Sequence, residues 1–341
     1  VATIEDVAKL AGVSPTTAKR AIRQPDLLAA DTLARVQKAV AELQYEPDLV
    51  AGALRRGHNK TIGLMVGDIL EPVFAQFTRI IGQEVRKRGY SLLLADDEYN
   101  AEIELNSLKM FYGHRIGGLI IRPAYASNYD YLKSLEQRGV AIVEIDYTQD
   151  KSPFSYIMLD NEAASFEAVK YLYELGHRRI AYVGRAALEE YPEERFTGFM
   201  KALQKYKLNL PKSYLAPLPN YTEELAYQRT LELLKLPEPP TAIFAFNGTC
   251  TLSAYRAIKE KGLKIPKDIS LLGFDNYSWT NLVTPGIDVL EQPVEAMALE
   301  AVQAVIAKIE GEPETIRKRF PAKLIKRGSC AAPKKSEKNF A

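Results

Sequence analysis

From Lys60 onward, short apolar runs alternate with amphipathic stretches, which predicts parallel strands joined by helical crossovers. A first series of strands is expected at Ile62–Val66, Ser91–Ala95, Gly118–Arg122 and Ala141–Ile145. A second is expected at Ile180–Gly184, Tyr214–Leu218, Ala242–Phe246 and Ser270–Phe274. Helical periodicity falls between them, including Phe74–Arg88, Asn161–Leu175, Glu194–Tyr206, Thr222–Leu234 and Thr251–Lys261. Two such series imply two doubly wound α/β lobes. Ligands of doubly wound sheets sit beyond the carboxyl ends of the strands, so a cleft between the lobes is the expected site.

The N-terminal residues follow a different pattern. Thr3 can cap a first helix and Asp6 can return the bond, with Val7, Leu10 and Ala11 forming one buried face. Gly12 supplies a tight turn. Ser14 then caps a second helix that has Pro15 at its first position, where a missing amide costs nothing. Two short helices joined this way form a helix-turn-helix, whose second helix lies in the DNA major groove. A third amphipathic helix fits Asp31 to Leu43, with Leu33, Val36, Val40 and Leu43 on one face. Beyond it, Pro47 can start a short helix, but Gly52 in its middle costs about 1 kcal/mol relative to Ala. Such a segment suits folding on binding, with Leu54 as an apolar wedge for the minor groove. The competing reading is a plain linker.

Composition narrows the classes. With 341 residues and 47% apolar content, the chain suits a small module plus a two-lobed body. No run reaches the roughly 18 apolar residues of a membrane span, and no signal-peptide pattern opens the sequence. A cytoplasmic protein is therefore expected, with reduced thiols at Cys250 and Cys330, whose spacing suits no metal. The net charge of +2 predicts no partner. No phosphate-loop or zinc-protease motif occurs, so neither enzyme chemistry, cofactor nor metal is expected. His177 reads as a loop brace. A solute-binding protein of sugar uptake or sensing would explain the lobes but not the helix-turn-helix.

Several ordered motifs carry a family resemblance. They are Thr3-Ile-Glu-Asp-Val-Ala-Lys-Leu-Ala-Gly-Val-Ser14, the Tyr-x-Pro-x-x-x-Ala-x-x-Leu pattern from Tyr45 to Leu54, and Thr61-Ile-Gly-Leu64. Further matches are Glu174-Leu-Gly-His-Arg-Arg-Ile-Ala-Tyr-Val-Gly184, Arg195-Phe-Thr-Gly-Phe199, Pro240-Thr-Ala-Ile-Phe-Ala-Phe-Asn247, Ile265-Pro-Lys-Asp-Ile-Ser270, Leu272-Gly-Phe-Asp275 and Gln292-Pro293. Together they resemble the LacI/GalR family of bacterial transcriptional regulators, from Thr3 to about Pro333.

The resemblance implies a helix-turn-helix domain (1–45), a hinge (46–60), a two-lobed periplasmic-binding-protein-like effector and dimerisation domain (61–333), and a tail (334–341). It implies a repressor acting as a homodimer on a pseudo-palindromic double-stranded operator, controlled by a small carbohydrate-type effector, with three crossings between the lobes. The tail lacks a leucine heptad, so no tetramerising coil is expected.

For DNA contact, the resemblance selects Pro15, Thr16 and Arg20, with Thr3, Ser14, Thr17 and Lys19 around them. It adds Leu54, Arg55 and Arg56 at the hinge. Arg20 can take guanine O6 and N7 together. Two departures stand out: Ala18-Lys19 replaces the usual Val-Ser, and Asp48 replaces the usual Asn. Operator preference is expected to differ from the commonest half-site.

For the effector, polar residues just past strand ends are the candidates, namely Asp146, Asn247 and Asp275, each with a helix cap or loop residue as its alternative. By resemblance Arg195 binds effector, Phe74 and Tyr221 are aromatic pocket positions, and Gln292 lies near the hinge between lobes. Arg122 and Arg185 stand where the family often has small or uncharged residues. With Arg195 they would face one cleft, which favours a sugar acid or sugar phosphate. The alternative pairs Arg122 or Arg185 with Asp96, Asp97 or Glu189.

Overall fold

A computed structural model describes residues 2–45, 60–149, 151–185, 193–218, 222–312 and 314–334. The chain divides into two compact units, with the division between Asn59 and Lys60.

The first unit contains α1 (Ile4–Ala11), α2 (Pro15–Arg23) and α3 (Ala30–Glu42). At the start of α1 the Thr3 hydroxyl accepts the Asp6 amide while Asp6 accepts the Thr3 amide at 2.8 Å, a reciprocal capping box. Gly12 ends the helix in the left-handed region (φ +64°), a conformation glycine adopts without a Cβ penalty. Ser14 caps α2 through the Thr17 amide, with Pro15 at the first position. One expectation is corrected. Leu10 is 47% exposed, because the buried face of α1 is Val7, Ala8 and Ala11. Ala18, Ala21, Val36 and Ala39 complete this small core, with Leu33, Val40 and Leu43 packed at its edge.

The second unit has two sheets. The first is ordered β11-β5-β4-β3-β1-β2 and the second β12-β10-β9-β8-β6-β7 among the described residues. In the first sheet β1 (Thr61–Val66), β2 (Ser91–Asp96), β3 (Gly118–Ile121), β4 (Ala141–Ile145), β5 (Ser155–Leu159) and β11 (Arg317–Phe320) all run parallel. The second contains β6 (Ile180–Gly184), β7 (Leu215–Pro217), β8 (Ala242–Ala245), β9 (Ser270–Phe274) and β10 (Asp288–Glu291), with β12 (Lys323–Ile325) antiparallel on β10. Within each lobe the first five strands take the same spatial order, second-first-third-fourth-fifth. Both carry a topological switch point where a ligand crevice forms.

Helices cover the sheets: α4 (Pro72–Lys87), α5 (Ala101–Gly113), α6 (Tyr129–Gln137) and α11 (Val294–Ile309) belong to the first lobe. The second has α7 (Asn161–Glu174), α8 (Glu194–Lys205), α9 (Glu223–Leu234) and α10 (Gly248–Glu260). The chain crosses between lobes at Asp160, at Gln292–Pro293 and at Pro321–Ala322. Among the described residues no helix is long and apolar enough to cross a membrane.

Buried polar groups brace the frame. His177, 1% exposed, bonds the hydroxyls of Thr241 at 2.9 Å and Ser270 at 3.1 Å, and burial lowers its pKa to about 4. A neutral imidazole here ties two segments together. Cys250 and Cys330 are free and buried.

Asp97 is fully buried. One of its oxygens accepts the Tyr99 amide at 2.9 Å, and the other has no hydrogen-bond partner among the described residues. Burial pushes its pKa up to about 7 against the pull of Arg122. Below about pH 4 both folded and unfolded states hold the proton, and the contribution to stability is complete. As pH rises toward 7 the unfolded chain ionises first, so stability is lost. Asp97→Asn should therefore flatten the fall in melting temperature between about pH 4 and pH 7, a gain of order 2 kcal/mol at the upper end. Thermal scans across that range would read it, and an unchanged slope would contradict the assignment.

Candidate functional site

In the first unit, α2 offers a polar face. Pro15, Thr16 and Arg20 are exposed, and Ala18 and Ala21 turn inward. Thr16 and Arg20 stand one turn apart and project to the same side. Lys19 is half-buried, its ammonium 3.9 Å from Glu5. The hydroxyls of Thr3, Ser14 and Thr17 are engaged in caps. Leu54, Arg55, Arg56 and Asp48 lie outside the described residues.

In the second unit, a cleft of about 810 Å³ opens between the lobes. It receives Phe74, Arg122, Asp146, Arg195, Asn247, Asp275 and Gln292, brought from seven different strand or helix ends. Tyr221 and Glu189 lie outside the described residues. Arg185 does not line this cleft. It joins an adjacent pocket with Asp68 and Glu98, its guanidinium 3.7 Å from the Tyr125 ring centre.

The two aspartates are related by the repeat: Asp146 follows the fourth strand of its lobe and Asp275 the fourth of the other. Both take left-handed backbone conformations, φ +62° and +69°. Such conformations concentrate at sites where side-chain direction matters, and Asp tolerates them better than most residues. Asp146 faces Arg122 at 3.6 Å. Asp275 accepts the Gln292 amide at 2.7 Å and the Gly248 amide at 3.1 Å. Burial raises its pKa and Arg195 opposes the shift.

Arg195 projects from the first turn of α8. It donates to the Asn161 side chain and to the Phe246 carbonyl, each at 2.8 Å, and lies 3.7 Å from the Phe274 ring centre. Glu193, whose pKa is raised by burial, sits beside it. Asn161 starts α7, so Arg195 requires α7 and α8 to lie close. Gly198 permits that approach, since a Cβ there would fall 2.1 Å from the Glu162 carbonyl oxygen. Gly198→Ala is expected to cost at least about 2 kcal/mol, because two packed backbones must part. A urea titration checks this, and a loss below about 0.5 kcal/mol would contradict it.

Arg122 is 2% exposed. Its guanidinium lies 4.4, 4.7 and 5.0 Å from the ring centres of Tyr125, Tyr99 and Tyr147. It also donates to the Pro123 carbonyl at 2.7 Å. Of the expected acid partners, Glu189 lies outside the described residues, and among those described the acid at ion-pair distance is Asp146 rather than Asp96 or Asp97. Two buried acids hold the surrounding loops. Glu104 accepts from the Ala124 amide and the Ser127 hydroxyl, each at 2.6 Å, and Glu144 accepts from the Tyr129 hydroxyl at 2.7 Å.

Asn247 caps α10 through its carbonyl oxygen, bonded to the Cys250 amide at 2.9 Å. The alternative reading of this residue as a cap is thus realised, in a residue that also lines the cleft. Sequence reasoning passed over Glu71, Asn161, Glu193 and the three tyrosines. Glu71, Tyr125 and Tyr147 lie within five residues of a strand's carboxyl end, so a wider window past each strand would have included them.

The bacterial regulatory proteins of the lacI family match residues 3–48, and the periplasmic binding protein-like domain matches residues 169–330. The transcriptional repressor PurR of Shigella dysenteriae is 31% identical, the match covering 97% of each chain. The transcriptional repressor CytR of Escherichia coli is 32% identical over the same share of both. This chain belongs to the LacI family. As a LacI-family protein it is a DNA-binding transcriptional repressor, and its relatives are repressors rather than enzymes. The match at residues 3–48 excludes a solute-binding protein without DNA function. A structure of the Lac repressor dimer bound to operator and an anti-inducer superposes with a TM-score of 0.83 at 25% identity, covering 97% of this chain and 99% of that one. A LacI-family regulator from Enterococcus faecium with bound ribose gives 0.68 at 28% identity, covering 80% of this chain and all of that one.

Proposed function

We propose that this repressor's operator affinity is set by a small carbohydrate-type effector held in the interlobe cleft. The observation that carries the reading is the repeat-related pair Asp146 and Asp275 facing one cleft beside Arg195. Carboxylates at two strand ends can each accept ligand hydroxyls and so fix stereochemistry, while Phe74 and Phe246 offer apolar ring faces. Asn247 spends its oxygen on the cap, which leaves its amide nitrogen to donate. The ribose bound in the Enterococcus faecium regulator supports this class of ligand.

The expected acidic effector, a sugar acid or sugar phosphate, loses part of its support. Arg122 is engaged by Asp146 and a carbonyl, Arg195 by Asn161 and Phe246, and Arg185 lies in the neighbouring pocket. The cleft lining holds as many acidic as basic side chains, five of each. An uncharged or donor-rich ligand fits better.

On the DNA side, Pro15, Thr16, Lys19 and Arg20 read base edges, and residues 46–60 form the hinge with Leu54 as wedge and Arg55 and Arg56 at phosphates. Two copies bind inverted half-sites, since two-fold protein symmetry imposes pseudo-palindromy. Leu70 and Leu282, 86% and 80% exposed, are apolar surface that a second copy would cover. The protein acts in the cytoplasm, where the operator is.

A thermal-shift panel of neutral sugars, nucleosides, sugar acids and sugar phosphates tests the ligand class, since a native-state ligand raises the melting temperature by mass action. Shifts with neutral sugars or nucleosides are expected. Shifts confined to acids and phosphates would return Arg122 and Arg185 to the ligand.

A further inference from the structure

The inner end of the cleft holds a buried carboxyl group with no cation at ion-pair distance among the described residues. Glu71 follows β1 and provides the N-cap position of α4, yet its side chain makes no cap bond. Only 9% exposed, it instead accepts a hydrogen bond at 3.2 Å from the Thr249 hydroxyl, which belongs to α10 of the opposite lobe. Arg122 faces Asp146 and Arg319 takes Glu194 in a two-bonded fork at 2.8 and 2.9 Å, but Glu71 has no ion-pair partner among the described residues. A second acceptor lies in the same lining. The side-chain oxygen of Gln292 is buried with no hydrogen-bond partner among the described residues, while its amide nitrogen donates to Asp275. Turning that amide over would set oxygen against carboxylate, so Asp275 fixes the acceptor as the spare atom.

We propose that Glu71 selects the effector, admitting ligands that present an N–H donor group, an ammonium foremost, and turning away anionic ones. This rests on the cleft being the effector site. Two buried acceptors without enough donors are costly, and a ligand that donates to them recovers that cost. A cationic nitrogen recovers most, since a charge-assisted bond to carboxylate is about twice as strong as a neutral one. An anion at the same place would meet Glu71 and Asp275 together. The charged groups around Glu71 agree: among the described residues Asp275 beyond β9 and Asp68 on its own loop oppose its ionisation, and Arg195 from α8 favours it more weakly. With burial as the main cause, its pKa is pushed up to about 7. Because Thr249 lies on the other lobe, a donor group at Glu71 also sits where the lobes meet.

The test compares matched probes on the full-length protein by calorimetry near pH 6: glucose, glucosamine and glucuronate, and the pair adenosine and purine riboside, which lacks the amino group. The amino member of a set that binds should be about tenfold tighter than its counterpart without the amino group. Glu71→Gln should shrink that preference to about twofold or less and let glucuronate in. Glucosamine binding near pH 6 should release up to about one proton in the wild type and none in the variant, a readout that packing alone would not move. Thr249→Val keeps the carboxylate and removes its protein donor, so the preference should persist or widen. A preference unchanged in Glu71→Gln, lost in Thr249→Val, or reversed toward glucuronate in the wild type would overturn the proposal. Neutral probes binding without preference would overturn it and leave the carbohydrate reading standing. No binding by any probe would overturn both.

Discussion

Arg195→Leu is expected to abolish effector binding and to lower stability by about 3–5 kcal/mol, the cost of breaking a buried ionic network from one side. Leucine fills much of the volume but none of the electrostatic role. Asp275 and Glu193 would keep their burial and lose the cation that offsets it. The Asn161 oxygen and the Phe246 carbonyl would lose their donor, and the Phe274 ring its cation. The asymmetry of buried polar groups gives a second arm. Adding Asp275→Asn should recover part of the lost stability, because a neutral amide no longer demands the charge, but should not restore binding. Chemical denaturation reads the first effect and calorimetry the second. Effector affinity retained within about threefold in Arg195→Leu would remove the residue from the ligand's surroundings.

The second large effect belongs to the other unit. Arg20→Ala should cost about 1–3 kcal/mol at each half-site, hence about 2–6 kcal/mol on a dimer's operator, while leaving effector affinity intact. Arg20 is exposed on the same side of α2 as Thr16 and can take a guanine edge in a forked pair. The loss should be sequence-specific. On operators altered at the contacted base pair, the variant and the wild type should converge, whereas removal of a phosphate contact would weaken every sequence alike. Anisotropy titrations at fixed salt on both operators separate the two cases. Uniform weakening would make Arg20 a backbone contact.

Local chemistry made much of this legible. The helix-turn-helix was readable to its caps, because Thr3, Asp6, Gly12, Ser14 and Pro15 each satisfy a backbone requirement within four residues. Leu10 was misplaced because three apolar residues at helical spacing fit more than one face, and small Ala8 gives the closer approach. Strands β1, β4, β6 and β9 announce themselves as apolar runs. Strand β11, Arg-Lys-Arg-Phe, does not, since it pairs through its backbone as a sheet edge and carries charge outward. Asp146, Asn247 and Asp275 follow from strand ends alone. Glu71 could not be weighed without its partner, because Thr249 is brought to it only by the packing of two lobes that the chain links three times. Arg185 shows the same limit. It follows a strand end as expected, yet a tyrosine of the opposite lobe decides where its guanidinium rests.

The central claim is that a ligand in the cleft governs operator binding, and a ligand can shift that equilibrium only by its differential affinity for the two states. The direct measurement selects an operator from a random DNA library with the full-length protein, then titrates it by anisotropy with and without a ligand found by thermal shift. Wild type should change operator affinity at least about tenfold, a coupling of about 1.4 kcal/mol, and Arg195→Leu should not respond. A ligand that binds the cleft tightly and leaves operator affinity unchanged would contradict the account.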